Sequence, residues 1–101
     1  MVLTRTLEYT PLGADGPRNV TVSVGPPEPD PRPGGEVRVL VEISGFEEPY
    51  SRYFCGVDGI QALVFGLGIV PDVVRSLAGE GGRVTWLDSE DLRFRYVDPL
   101  D

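Results

Sequence analysis

Apolar and polar residues alternate with a period of two in three stretches of the chain, 3–9, 19–24 and 36–44. Successive side chains of an extended strand point to opposite faces, so this period predicts three strands that each bury one face. Arg5 interrupts the apolar face of the first strand, which places it near the rim of the predicted sheet. The clearest strand is the third, whose predicted inward residues are Val37, Val39, Val41 and Ile43.

The next apolar run has a helical period. Asp58 is a suitable N-cap, and Gln61 three residues later completes a variant of the capping box. The helix is expected to reach 77, with Pro71 either kinking or ending it and three glycines closing it. At 100° per residue the predicted core face consists of Ile60, Leu63, Val64, Leu67 and Val70.

The opposite face of this predicted helix is apolar too, with Gln61 as its only polar neighbour. Small residues spaced by three and four along it permit the close approach of another backbone, either from the same chain or from a second subunit. A surface helix with one buried face would carry charges here, so something is expected to cover this face. The predicted interface, which allows a homodimer, consists of Gly59, Ala62, Phe65, Gly66 and Ile69.

The C-terminal part predicts a hairpin, with strands at 83–87 and 92–97. The order β-β-β-α-β-β then predicts a single α+β domain over 1–101, in which a mostly antiparallel sheet of about five strands packs on one apolar helix. Three segments lie outside this plan: a loop at 25–35 rich in Pro and Gly, an irregular aromatic stretch at 45–56, and an acidic tail at 98–101.

Charge and residue usage narrow the function classes. With 16 acidic and 9 basic residues the net charge is -7, which disfavours nucleic acids and membrane surfaces and favours a basic partner. The chain has no His, and every basic residue is Arg, so mechanisms built on His or Lys are excluded. The single cysteine, Cys55, is expected to be a small buried hydrophobe, and together with the lack of a signal peptide it predicts a reducing cytoplasm. No enzyme activity, cofactor or metal is expected.

Four arginines form a candidate binding site. If their strands share one sheet, they lie on its helix-free face and make a locally positive surface that suits a carboxylate or phosphate ligand. The alternative is cross-strand ion pairing on a solvated surface. The four residues are Arg38, Arg83, Arg93 and Arg95.

Several short motifs resemble a family of small bacterial proteins of unknown function. They are Arg5-Thr-Leu7, Val22-Ser-Val-Gly-Pro26 followed by Glu28-Pro-Asp30, Gly56-Val-Asp-Gly-Ile-Gln-Ala-Leu63, and Gly82-Arg-Val-Thr-Trp86. The third resembles the Gly-x-Asp-x-x-Gln-Ala-Leu helix start of that family. The chain departs from the family in the third strand, where a Trp or Cys is expected and Val37 to Val41 stand instead. The resemblance implies the fold and carries no activity.

Three hypotheses for function follow. The first is a non-enzymatic interaction domain, dimerising through the second helix face. The second is an immunity or antitoxin-like inhibitor of a basic partner, which small size and acidity suit. The third is a binder of small anions on the arginine-rich sheet face.

Overall fold

A computed structural model describes residues 2–94 of the chain. It confirms the α+β class: one helix packs on an open antiparallel sheet of six strands. The strands are β1 (Leu3–Thr10), β2 (Arg18–Val24), β3 (Glu28–Pro29), β4 (Val37–Ser44), β5 (Tyr50–Gly56) and β6 (Arg83–Thr85), and the helix is α1 (Gly59–Ala78).

The sheet has five positions across, in the order β5-β4-β2-β1-β6, because β3 continues β2 along the same edge of β4. Val24 pairs with Val41 and Glu28 pairs with Arg38, so the three residues 25–27 stand opposite two residues of β4. This bulge contains Pro26 and Pro27, which have no N–H to give to the ladder. The predicted 25–35 loop is therefore partly a strand, which is a correction of the sequence analysis.

Strand β5 lies where the sequence analysis placed an irregular segment. All of its residues pair with β4, from Tyr50 opposite Ile43 to Gly56 opposite Val37. Its large side chains lie on both faces of the sheet, and this removed the alternation by which strands are recognised. The final predicted strand at 92–97 is wrong for 92–94, which are not in a strand, and its remainder lies outside the described residues, as does the 98–101 tail.

The core lies between α1 and the sheet. Val39, Val41 and Ile43 are buried as predicted, together with Leu7 and the three valines of β2. The predicted core face of α1 is wrong in part, because Ile60 and Val64 are exposed. The residues of α1 that are buried are Ala62, Gly66, Val70, Pro71 and Val74. In its first half the helix is thus rotated so that Ala62 and Gly66 lie against the sheet, while Ile60 and Val64 point away from it.

Pro71 lies inside α1 and does not end it. The helix continues to Ala78, and Gly79 caps it with a φ of 73° and donates its N–H to the carbonyl of Arg75. A left-handed C-terminal residue is the position that glycine fills with least strain. Tyr9 of β1 reaches this end of the helix and donates its hydroxyl to the carbonyl of Ala78 at 3.2 Å.

Candidate interaction surface

The small residues of α1 let the helix approach its own sheet closely. A Cβ at Gly66 would lie 3.0 Å from Cγ2 of Val41 and 3.5 Å from Cγ2 of Val39, and Ala62 is fully buried. A Cβ at Gly59 would lie 3.0 Å from Pro27 of the bulge. The side chains that approach these residues therefore belong to the same chain, and of the predicted interface only Phe65 and Ile69 point away from the sheet.

The side of α1 that faces away from the core is apolar and exposed. Ile60 is 75% exposed, Val64 60%, Phe65 53% and Ile69 38%. These four residues are called the outer face of α1 below. At 100° per residue, Phe65 and Ile69 lie on one flank of this side, and Ile60 and Val64 lie on the other. Single exposed apolar side chains are normal on a soluble protein, but several large ones on one element mark an interaction surface.

By length and composition α1 is also apolar enough to cross a bilayer. A helix of a soluble protein that packs on its own core passes the same test, and α1 does pack on β4 and β5. The feature that distinguishes α1 from an ordinary core helix is its exposed outer face.

The start of α1 is fixed by side-chain caps, as the sequence predicts. The Asp58 carboxylate accepts the N–H of Gln61 at 2.8 Å, and the Gln61 side-chain oxygen accepts the N–H of Val57 at 2.7 Å. The residue before this turn must be Gly56, because the Cβ of any other residue there would lie 2.5 Å from the backbone nitrogen of Ala62. The segment Gly56 to Ala62 is thus a compact joint between β5 and α1.

A cleft of about 370 Å³ lies between the first turn of α1 and the bulge of the neighbouring strand. Its lining is apolar apart from Asp58, whose carboxylate is already engaged in capping the helix. The cleft is large enough for a small ligand or for one inserted side chain. Its principal walls are Leu3, Val24, Pro27, Ile60 and Leu63.

The structure describes three of the four candidate arginines, and it places these three apart from one another. Arg38 pairs with Glu28 at 2.8 Å and lies 3.8 Å from the centre of the Tyr53 ring. Arg83 is on β6, three strand positions from β4 and thus about 14 Å away across the sheet. It lies 3.5 Å from Glu90, whereas Arg93 lies 3.2 Å from Asp91, and Arg95 is outside the described residues. The arrangement matches ion pairing more closely than a joint anion site.

Arg5 has a role that the sequence analysis missed. Its guanidinium lies 3.9 Å from the centre of the Trp86 ring and 4.7 Å from that of Phe94, and it donates to the carbonyls of Leu92 and Arg93. A cation stacked on aromatic rings and bonded to two carbonyls holds the chain after β6 against β1. The signal in the sequence is the basic residue on an otherwise apolar strand face.

A second missed feature is a polar cluster that closes the 25–35 loop. The side chain of Asp30 is only 3% exposed, and its Oδ2 accepts from Nη2 of Arg32 at 2.6 Å and from Sγ of Cys55 at 3.0 Å. Nη2 of Arg32 also donates to Sγ of Cys55 at 2.8 Å. These three residues are called the loop latch. They join the loop to β5 and replace the purely apolar role expected for Cys55.

The loop latch shifts two pKa values in opposite senses. Hydrogen bonds from the Arg32 side chain and backbone, with a further one from Cys55, hold the pKa of Asp30 well below its usual range. The bond that the thiol donates to the Asp30 carboxylate, together with desolvation, raises the pKa of Cys55. Cys55 is therefore a protonated thiol at neutral pH, which is the less nucleophilic form.

Glu36 brings a third potential metal donor to the latch. Donor atoms of Asp30, Glu36 and Cys55 all lie within 4.8 Å of one another. The guanidinium of Arg32 already bonds both Asp30 and Cys55, and a cation so placed disfavours a metal ion. We therefore assign the cluster a structural role.

Asp30→Asn tests the latch through its pH dependence. Because folding lowers the pKa of Asp30, its ionisation stabilises the fold above the unfolded value near 4, and that stability is lost as pH falls below it. The variant should melt several degrees below the wild type at pH 7, and the gap should narrow from pH 5 to pH 2. Asp15→Asn, in an exposed turn, is the control. A gap independent of pH contradicts the assignment.

Comparison with known proteins identifies the family. The chain matches, over residues 3–96, the family described as Domain of unknown function (DUF6968). The protein belongs to the DUF6968 family. No curated protein and no solved structure matches the chain. The match spans every described strand and the helix, so the sheet, α1 and its outer face all lie within the family domain.

Proposed function

We propose that this DUF6968 domain is a non-enzymatic protein-interaction module whose binding surface is the outer face of α1. The observation that carries the proposal is the exposure of four large apolar side chains on one helix that is otherwise packed against its sheet. Burial of apolar surface is the main favourable term in protein association, at about 25 cal/mol per Å². The partner that we propose is a second copy of the chain.

The charge distribution supports an apolar partner over a basic one. No residue from Gly59 to Pro71 is charged, although the chain as a whole carries a net charge of -7. Two acidic proteins repel each other least where the surfaces that meet carry no charge. The outer face of α1 is such a surface, whereas a basic partner would be bound through acidic residues.

Phe65→Asp tests the proposed function. A charge in place of the largest side chain of the outer face should weaken self-association by at least about 30-fold, since aromatic residues are frequent hot spots. The measurement is sedimentation equilibrium across a dilution series, with circular dichroism to establish folding. Leu87→Asp is the matched control, because Leu87 is 79% exposed but lies after β6. Equal dissociation constants for Phe65→Asp and the wild type contradict the proposal.

We also propose a bacterial, cytoplasmic setting. The bacterial setting is supported by the exclusive use of Arg among the basic residues, which is typical of coding sequences rich in G and C. The cytoplasmic setting is supported by the single cysteine, which has no disulfide partner in the chain. The Gly56-Val-Asp-Gly-Ile-Gln-Ala-Leu63 helix start is our proposal for a family signature. Its Gly, Asp and Gln each have a structural role at the β5–α1 joint.

A further inference from the structure

Strand β5 forms one edge of the sheet. It pairs with β4 along its whole length, and within residues 2–94 no strand pairs with its other side. Natural edge strands are usually shielded by charges, prolines, bulges or a covering segment, because their unpaired N–H and C=O groups attract other strands. Between Tyr50 and Gly56 the chain has no proline and a single charge, on Arg52.

The outer face of α1 lies partly above this edge. Leu63 and Leu67 line clefts with Leu3 and Val24, so their flank of the helix points toward β2 and β1. At 100° per residue, Phe65 and Ile69 lie on the opposite flank. Since β5 lies on the other side of β4 from β2 and β1, these two side chains point toward the unpaired edge.

We infer that two copies of the chain join through this edge, with β5 pairing antiparallel to β5 of the second copy and the two helices meeting on one face of the joined sheet. This inference rests on the proposed function and gives its dimer a geometry. The two-fold axis passes perpendicular to the sheet beside Tyr53, so that Tyr53 stands opposite its own copy and all residues of β5 have a partner.

The spacing of sheet and helix fits this arrangement. Strands in a sheet are about 4.8 Å apart, and α1 packs over both β4 and β5. A helix midway between these two strands lies about 4.8 Å from the two-fold axis, which puts the two helix axes about 10 Å apart. Packed helices are separated by 8–10 Å, so the flanks bearing Phe65 and Ile69 come into contact as the strands pair.

The charges also fit a second copy. In this register Arg52 stands opposite Phe54 of the second copy, so two like charges are not directly paired. The strand itself contains no acidic residue, and neither does α1 before Asp72. The paired strands and the first part of α1 are thus neutral or positive on an acidic protein, so no acidic groups meet between them.

Cysteine cross-linking tests the register. Opposed residues of antiparallel strands have Cα atoms about 4.5–5.5 Å apart, within the range that a disulfide spans. Tyr53→Cys in a Cys55→Ser background should form a covalent dimer under mild oxidation, because Ser keeps a donor for Asp30. Leu87→Cys in the same background is the matched control and should stay monomeric on a non-reducing gel. For the unmodified protein, hydrogen exchange should show that every second amide of β5 loses protection on dilution.

The outcomes separate this inference from the proposed function. Preferential cross-linking through Tyr53→Cys and concentration-dependent protection of β5 support the continuous sheet. The strand pairing is overturned, and the helix interface is kept, if Phe65→Asp weakens the dimer but two other results hold. These are that Tyr53→Cys cross-links no faster than Leu87→Cys, and that the exchange protection of the β5 amides does not change on dilution. A wild type that is monomeric throughout the dilution series overturns both.

Discussion

Gly56→Ala should lower the free energy of unfolding by about 3 kcal/mol, with a fall in Tm of more than 10 °C for a domain of this size. The added methyl group would lie 2.5 Å from the nitrogen of Ala62 and 2.9 Å from the carbonyl carbon of Gln61. Both are backbone atoms of the first helical turn, held by the Asp58 cap, so neither can yield without displacing α1 from the sheet.

Thermal and urea unfolding measure this effect, and Gly16→Ala is the control. Gly16 has no atom within 4 Å of a built Cβ, and its φ lies outside the left-handed region, so its replacement should change stability by less than about 0.5 kcal/mol. Equal stabilities of Gly56→Ala and Gly16→Ala would show that the joint between β5 and α1 is looser than the structure indicates.

The second large effect is expected at Gly66, two residues from a glycine that tolerates substitution. Gly66→Gln should destabilise the fold by about 3 kcal/mol, because a Cβ there would lie 3.0 Å from Val41 and the remaining side chain has only the sheet to enter. Gly68→Gln should stabilise it by about 0.5–1 kcal/mol, because no atom lies within 4 Å and Gln is the better helix former.

The comparison of these two variants decides whether α1 lies where the structure places it. Both replacements put the same residue into the interior of the same helix, so their intrinsic helix propensities cancel. Urea unfolding of both variants gives the difference directly. If Gly66→Gln were as stable as Gly68→Gln, the side of α1 bearing Gly66 would not be against β4, and the outer face would have to be reassigned.

The strands with one buried face were predictable from the sequence. In β2 and β4, valines at every second position specify a strand with an apolar and a polar side, and all of them except the half-buried Val37 are buried in the structure. The caps of α1 were predictable as well, because Asp58 and Gln61 act on backbone groups within four residues of themselves. Such features depend on local geometry that every chain shares.

The rotation of α1 was not predictable from its period alone. The helix is apolar on nearly every side, so hydrophobicity could not distinguish the side that packs from the side that is exposed. The size of the side chains determined which side of α1 packs on the sheet. Ala62 and Gly66 allow the helix to approach Val39 and Val41, whereas Ile60 or Val64 would hold it away. Ile60, Val64, Phe65 and Ile69 were thereby left outside, where they form the candidate interaction surface.

The loop latch and the stacking of Arg5 also depend on tertiary structure. Cys55 is 25 residues from Asp30, and Arg5 is 87 residues from Leu92, so no local pattern connects either pair. By itself the sequence determined the α+β class, the strands with one buried face and the helix start, because period and capping act over a few residues. Only the tertiary structure decided the pairing of β5, the side of α1 that is exposed and the polar contacts, because these depend on which distant surfaces fit together.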